Sequence, residues 1–478
     1  MNFEKLKHTN YGATVVALSN FTALVKGEGG KLDCDNVKAA LIFGQSVIVG
    51  KDVQAGAVGL YFPVETALSA EFLSNNNLYR KAEFGNVDPA AKTGFFDLHG
   101  RVRAVKFRGH KSEGFWIPIE ALNYLGISLS EFPVGVEFDM VADHEICHKY
   151  IPRRNRVSNP CAPRGRKARV EDKLVDGQFR FHIDTAQLRR NSHRIEPGTL
   201  ISLSDKWHGT SAIFSNILVQ RDLPWYERFL RWIGVNVQEH EYGFTWASRR
   251  VVKGVDGEAK KNAVHFYSTD VWGTVAKEVQ DFIPKGFTIY GEVVGFTPDG
   301  GAIQGGYHYG CQPGTHRFLV YRITTTNPDG KVMEMAWPQM KEFCAKYGLE
   351  MVKELYFGRA DGFFENGLVD SLDAEGKFIG RRHMTLEEWQ DGFVKALEKA
   401  FVHDQMCPHN NMEVPAEGIV LRVERFDECE AFKLKSFLFL KRESDELDKG
   451  VMDMETAEAE GEAASEEFAS EAEFKRFP

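Results

Sequence analysis

The stretch Ser202-Leu203-Ser204-Asp205-Lys206-Trp207-His208-Gly209-Thr210-Ser211 decides the reading of this chain. It reads as a strand that delivers Lys206, with Gly209 three positions later. A lone Lys-x-x-Gly arises often by chance, so its weight comes from what lies downstream. Residues 288–295, ThrIleTyrGlyGluValValGly, read as a strand presenting Glu292 between glycines, and residues 417–422, GluGlyIleValLeuArg, as another strand opened by a carboxylate. Residues 432–436, PheLysLeuLysSer, place Lys433 and Lys435 on one face of a strand, because side chains alternate with period two.

Outward from these runs, the chain has 478 residues, 43% hydrophobic and 27% charged, enough for a substantial core and two or three domains. Collagen-like, disulfide-scaffold and wholly disordered chains are excluded. Apolar runs such as 39–43 and 57–63 fall far short of the roughly 20 residues that span a bilayer. The first residues, Met-Asn-Phe-Glu-Lys, lack the basic flank and apolar stretch of a secretory signal, so a cytoplasmic location and no membrane partner are expected. Seven scattered cysteines suit reduced thiols better than a bridge framework.

The net charge of −9 is unevenly spread. Residues 443–478 hold 13 Asp and Glu against Lys449, Lys475 and Arg476; the preceding residues hold 55 acidic and 56 basic side chains, so the body is neutral and the appendage acidic. The tail, assigned to 441–478, is rich in Glu, Ala and Ser and is expected to be disordered, because it has too little apolar surface to offset its ordering entropy. Residues 1–145 alternate in short strand-like runs broken by Gly, Asn and Asp, as a small β barrel does, with brief helical patches at 67–73 and 119–125. A connector, 146–175, carries seven positive charges between 153 and 169 together with Pro152, Pro160 and Pro163. It reads either as a solvated linker or as a phosphate-tracking strap. From 176 to 440 strands, including 179–184 and 199–204, alternate with helices at 268–282 and 337–347, giving an α+β domain.

At these residues the chain resembles the covalent nucleotidyltransferases, the polynucleotide ligases and messenger RNA capping enzymes. Lys206-x-x-Gly209 matches motif I, and Ser248-Arg249 after the Trp246 strand is similar to motif Ia. Glu292 stands as motif III, Phe318 to Tyr321 as motif IIIa, Glu417-Gly418 as motif IV and Lys433-x-Lys435 as motif V. DNA ligases and capping enzymes typically put Asp before the motif I glycine and Arg two residues after it; here His208 and Ser211 stand there. Lys-x-His-Gly-Thr-Ser is instead similar to the Deinococcus-type ATP-dependent RNA ligases. The resemblance implies an OB-fold-like domain over 1–145, followed by an ATP-grasp-like nucleotidyltransferase domain of antiparallel sheets and helices.

It also implies roles. Lys206 takes AMP from ATP as a lysyl-AMP, AMP passes to an RNA 5′-phosphate, and a 3′-hydroxyl displaces it. A lysine is almost fully protonated at neutral pH, so the attacking amine needs neighbouring cations or a metal. Lys433, Lys435 and Mg²⁺ or Mn²⁺ supply that charge, with Glu417 holding the metal and Glu292 contacting the ribose. Arg249 holds a phosphate, and Tyr321, or failing it Phe318, stacks on adenine; Arg322 stands where an acidic residue is usual. The expected partner is RNA or an RNA-containing nicked duplex, and the expected state a monomer. The competing readings are a DNA ligase, a capping guanylyltransferase, or a nucleic-acid-binding protein that no longer catalyses.

Other patterns read as structural. His144, Cys147, His148 and Cys161, like Cys407, His409 and Cys429, have spacings zinc could use but no paired CxxC, and read as thiols and histidines without metal. Residues 300–306, GlyGlyAlaIleGlnGlyGly, lack Gly-Lys-Ser/Thr and read as a turn after motif III.

Overall fold

A computed structural model describes residues 10–25, 36–88, 90, 94–107, 109–151, 173–256, 258–259, 267–372, 377–402 and 404–450. Most of the basic connector, 152–172, and the tail from 451 lie outside the described residues. The chain divides into two compact units. The first comprises 1–152, 186–192 and 435–451; the second comprises 153–185, 193–434 and 452–478.

The first unit is built on a four-stranded antiparallel sheet in the order Glu137–Phe138, Ala13–Ala17, Val58–Phe62, Phe115–Pro118. Val15, Leu60, Phe62, Phe72, Leu122 and Phe138 pack as its core. Val37–Ile42 and Gln45–Gly50 form a hairpin through Phe43-Gly44, both at positive φ, the left-handed pair that suits the twist of a two-residue turn. The expected barrel is not closed by strand pairing among the described residues: the 37–50 strands pair with Phe21–Thr22, and Ala104–Phe107 pairs with His110–Glu113, apart from the four-stranded sheet. The helical patch read at 67–73 is a strand Thr66–Leu68 followed by a helix Ala70–Asn75. Ser69 divides them, its Oγ accepting the Phe72 N–H at 3.1 Å as a helix N-cap.

The helix Phe437–Asp448 belongs to this unit. Phe437 and Leu440 pack with Val64 and Ala104, and the buried Arg101 guanidinium donates to Ser444 O at 2.8 Å and pairs with Asp448. The opening residues of the acidic stretch, 441–448, are therefore helical and paired.

The second unit has two sheets. One orders Glu430–Lys435, Gly418–Val423, Leu200–Lys206 and Glu354–Arg359. The other orders Glu258–Ala259, Val252–Val255, His240–Ala247, Thr210–Gln220, Phe287–Gly295, His316–Thr326 and Val332–Glu334, with Glu350–Met351 parallel to the long His316 strand. Residues 179–184, read as a strand, are not in one. Their contacts are made by side chains and single carbonyls: Phe179 joins the Ile213 and Tyr290 cluster, and Arg180 O accepts the Tyr290 hydroxyl at 3.0 Å. The expected helices form as Val271–Val279 and Trp337–Tyr347, the latter with Pro338 in its first turn and ended by left-handed Gly348. No helix among the described residues is long and apolar enough to cross a membrane.

Arg322, the residue expected to be acidic, is buried and forms a fork of hydrogen bonds to buried Glu334, with the Tyr290 ring 4.4 Å from its guanidinium. The charge at position 322 is thus answered by a carboxylate 12 residues on, on the neighbouring Val332–Glu334 strand.

Candidate active site

The quoted stretch crosses from one sheet to the other. Lys206 is the last residue of its strand and Thr210 the first of the next, so Trp207, His208 and Gly209 form the crossing. Lys206 lies opposite Gly418 in the antiparallel ladder, which brings it beside the residue just before that strand. Its Nζ stands 2.7 Å from Glu417 Oε1. Glu417 is buried, while Lys206 keeps a quarter of its side chain exposed. Lys433 lies on the next strand of the same sheet, at one of its half-buried positions.

On the other side of the crossing, Ser211 lies opposite Glu292. Glu292 Oε1 accepts the Gly209 N–H at 3.0 Å and Oε2 lies 3.4 Å from Ser211 Oγ. A Cβ on Gly209 would sit 2.3 Å from Val293 O and 2.9 Å from Glu292 Cγ, so this position needs glycine for close approach. Motifs I, III and IV thus meet at one crossing, within one unit.

The register also separates the two aromatic candidates. Phe318 lies opposite Val293, on the face away from Glu292, where its ring meets Phe214 edge-on at 5.0 Å. A bulge between Tyr290 and Gly291 then turns Tyr321 toward the face that carries Ile213, Tyr290 and Glu292. Its hydroxyl is 3.2 Å from His182 Nδ1. Arg249 donates from Nη2 to Asp184 Oδ1 at 2.5 Å, and Arg250 from Nη2 to Oδ2 at 3.2 Å. Burial would raise the Asp184 carboxyl, but these two guanidinium groups, Arg249 foremost, outweigh it and hold the group down at about 2.

Lys435 shares its strand face with Lys433 but belongs to the first unit, where its Nζ meets Glu65 Oε1 and Glu443 Oε2, each at 3.1 Å. No group of three or more His, Cys, Asp or Glu among the described residues could hold a metal ion. Of the residues with zinc-like spacings, Cys147, Cys407 and Cys429 are free thiols, His144 pairs with Glu71, His148 with Glu145, and His409 stacks on Trp207 at 5.0 Å; Cys161 lies outside the described residues.

Sequence reasoning missed the groups that hold the crossing. The His208 N–H donates to the Tyr309 hydroxyl at 2.8 Å, and Gln304 Nε2 donates to Gly209 O at 2.7 Å. Burial pushes the Tyr309 phenol well above its ordinary range, so it stays protonated. These residues lie in and after the glycine run read as a turn, and nothing in their spacing marks them. Asp184 was missed because it stands in an irregular segment.

Residues 202–436 match the sequence model of the RNA ligase family. No curated protein matches. Among solved structures, the chain is similar to an RNA ligase of Naegleria gruberi: a variant with ATP and Mn, TM-score 0.52 and 14% identity, covering 90% of this chain and 98% of that chain. A variant with AMP and Mn gives 0.51, 14%, 90% and 98%, and the protein with PPi gives 0.51, 14%, 91% and 98%. At such identity the structural likeness establishes a shared fold, that of the RNA ligase nucleotidyltransferases.

Proposed function

We propose that the chain, whose residues 202–436 match the RNA ligase family model, is an ATP-dependent RNA ligase of the Deinococcus type, working as a cytoplasmic monomer, that joins 3′-hydroxyl and 5′-phosphate RNA ends through a lysyl-AMP. The observation that carries this is the crossing itself, with Lys206 2.7 Å from Glu417 and Gly209 bonded to Glu292. The 1–145 region acts as an OB-like nucleic-acid module, its alternating strands supporting that reading.

Lys206 attacks the α-phosphate of ATP and pyrophosphate leaves. Each of the three steps is an in-line displacement at phosphorus, a matter of positioning and charge. The amine must shed a proton before attack, and Glu417 is the carboxylate within reach. Glu292, already oriented by the Gly209 N–H, contacts the ribose, and Tyr321, on the Glu292 side of the sheet, stacks on adenine in preference to Phe318. Arg249, steered by Asp184, holds a phosphate, as do Lys433 and Lys435. A buried carboxylate fits Mg²⁺ or Mn²⁺, which commonly binds through one or two carboxylates plus substrate phosphates and water, and Glu417 is the residue that would hold it. Bound there, the ion supplies charge stabilisation to the phosphates.

The test is joining of RNA with a 3′-hydroxyl and a 5′-phosphate, as free ends and as a nick, in ATP or GTP. Joining with ATP alone is expected. Joining of DNA only, or activity with GTP only, would replace the reading with a DNA ligase or a capping enzyme.

A further inference from the structure

Building on that reading, we infer that Tyr309, with Gln304 and Tyr307 from the same loop, is a positioning residue that sets the Lys206 amine for attack by locking the motif I crossing to the segment that delivers Glu417. Trp207, His208 and Gly209 lie between two sheets, so their backbone groups find no partner in either ladder. Buried backbone groups need partners, and one loop provides two of them. The Tyr309 hydroxyl accepts from His208 N–H and the Gln304 amide donates to Gly209 O, both donors and acceptors being buried or half-buried. The same loop reaches the other side of the site. Tyr307, fully buried, donates from its hydroxyl to Pro415 O at 2.9 Å, two residues before Glu417, and the Tyr309 N–H donates to Asn410 Oδ1 at 2.7 Å.

Side chains reinforce the link. The Trp207 ring packs against Tyr309, centroids 4.5 Å apart, and against His409, and the Arg317 guanidinium sits 5.3 Å from it while donating to Tyr309 O at 3.3 Å. The His208 ring meets Tyr307 edge-on at 4.9 Å. Tyr309 itself has a φ of 50°, a conformation a bulky residue keeps only where its surroundings over-determine it. The nucleophile and its carboxylate therefore come from separate segments, 211 residues apart in the chain, and the 304–310 loop bonds to the neighbours of both. Their bonds run to the neighbours of Lys206 and Glu417, so their effect is on where Lys206 stands.

A positioning role has a distinctive signature across the three steps. Lysine adenylylation and AMP transfer to RNA use the Lys206 amine, whereas joining of an RNA whose 5′ end is already adenylylated does not. Tyr309→Phe keeps the ring against Trp207 and removes only the acceptor of the His208 N–H. In the full-length protein, single-turnover labelling by ATP should slow by about 10- to 100-fold, the scale of a small misplacement of a reacting group. Equilibrium ATP binding should stay within about twofold of the parent, and joining of pre-adenylylated RNA should stay at the parental rate; Gln304→Leu should show the same split. Labelling at the parental rate would overturn the inference. So would a proportionate loss of labelling, ATP binding and pre-adenylylated joining, which would mean that the loop merely supports the fold. A parent that labels itself but joins no RNA would contradict the ligase reading alone, since labelling and ATP binding still decide on Tyr309.

Discussion

Two carboxylate–cation pairs of the second unit are equally deep at the carboxylate and, under the proposed function, opposite in use. Glu334 and Glu417 each leave 3% of the side chain exposed. Glu334 meets Arg322, itself 6% exposed, through a fork of hydrogen bonds, with Arg422 3.9 Å away; both cations are as deep as the acid. Glu417 meets Lys206, 25% exposed, at 2.7 Å. The first pair is buried on both sides, its carboxylate met by planar guanidinium groups that do not give up their protons. The second has one open end and a cation that can be deprotonated. What separates a structural pair from a reactive one here is access and the chemistry of the cation, not burial of the acid.

Exchanging one carboxylate at a time breaks that comparison most sharply. Glu417→Gln should cut labelling by ATP by more than about 100-fold, as expected when the carboxylate that takes the Lys206 proton and would hold the metal is lost, while the unfolding midpoint moves little. An unchanged labelling rate would place the reactive pair elsewhere. Glu334→Ala should do the reverse, destabilising by about 3–5 kcal/mol because Arg322 is left as an uncompensated buried charge, read as a lowered urea midpoint. Equal stability in that variant would mean that the pair is not sealed.

The smallest effect belongs to a half-exposed pair. The folded Asp184 carboxyl lies at about 2, below its ordinary 3.8, so its pairing with Arg249 and Arg250 stabilises the fold above about pH 4 and fades as pH falls toward 2. The stability lost in Asp184→Asn should be below about 1 kcal/mol at pH 7 and should vanish in acid. A difference that grows toward pH 3 would reverse the assigned sign.

Legibility in the sequence followed the same divide between what strands carry and what loops hold. Lys206, Glu292, Glu417 and Lys433 sit on or beside strands, where the resemblance to the nucleotidyltransferase motifs in their order exposed them, and the register brings the first three to one crossing. Trp337–Tyr347 was readable end to end because its turn signals bracket an amphipathic run. Tyr309 and Gln304 were not: a loop residue that acts through one hydroxyl or one amide has no periodicity, and its partners lie about a hundred residues away. Residues 179–184 alternate as a strand would, yet tertiary partners for His182, Asp184 and Arg180 replaced a ladder. The choice between Tyr321 and Phe318 depended on one bulge, which a sequence pattern does not announce. The barrel grammar of the first unit likewise fixed short strands without fixing which of them pair.

The most direct test of the central claim, that Lys206 is a covalent nucleophile for ATP, is to incubate the purified full-length protein with α-labelled ATP and Mg²⁺ and measure label that survives denaturation, with Lys206→Ala beside it. Label on the parent, released by pyrophosphate and absent from the variant, is the predicted result. Label of equal yield on Lys206→Ala, or none on a parent that still joins RNA with ATP, would contradict it.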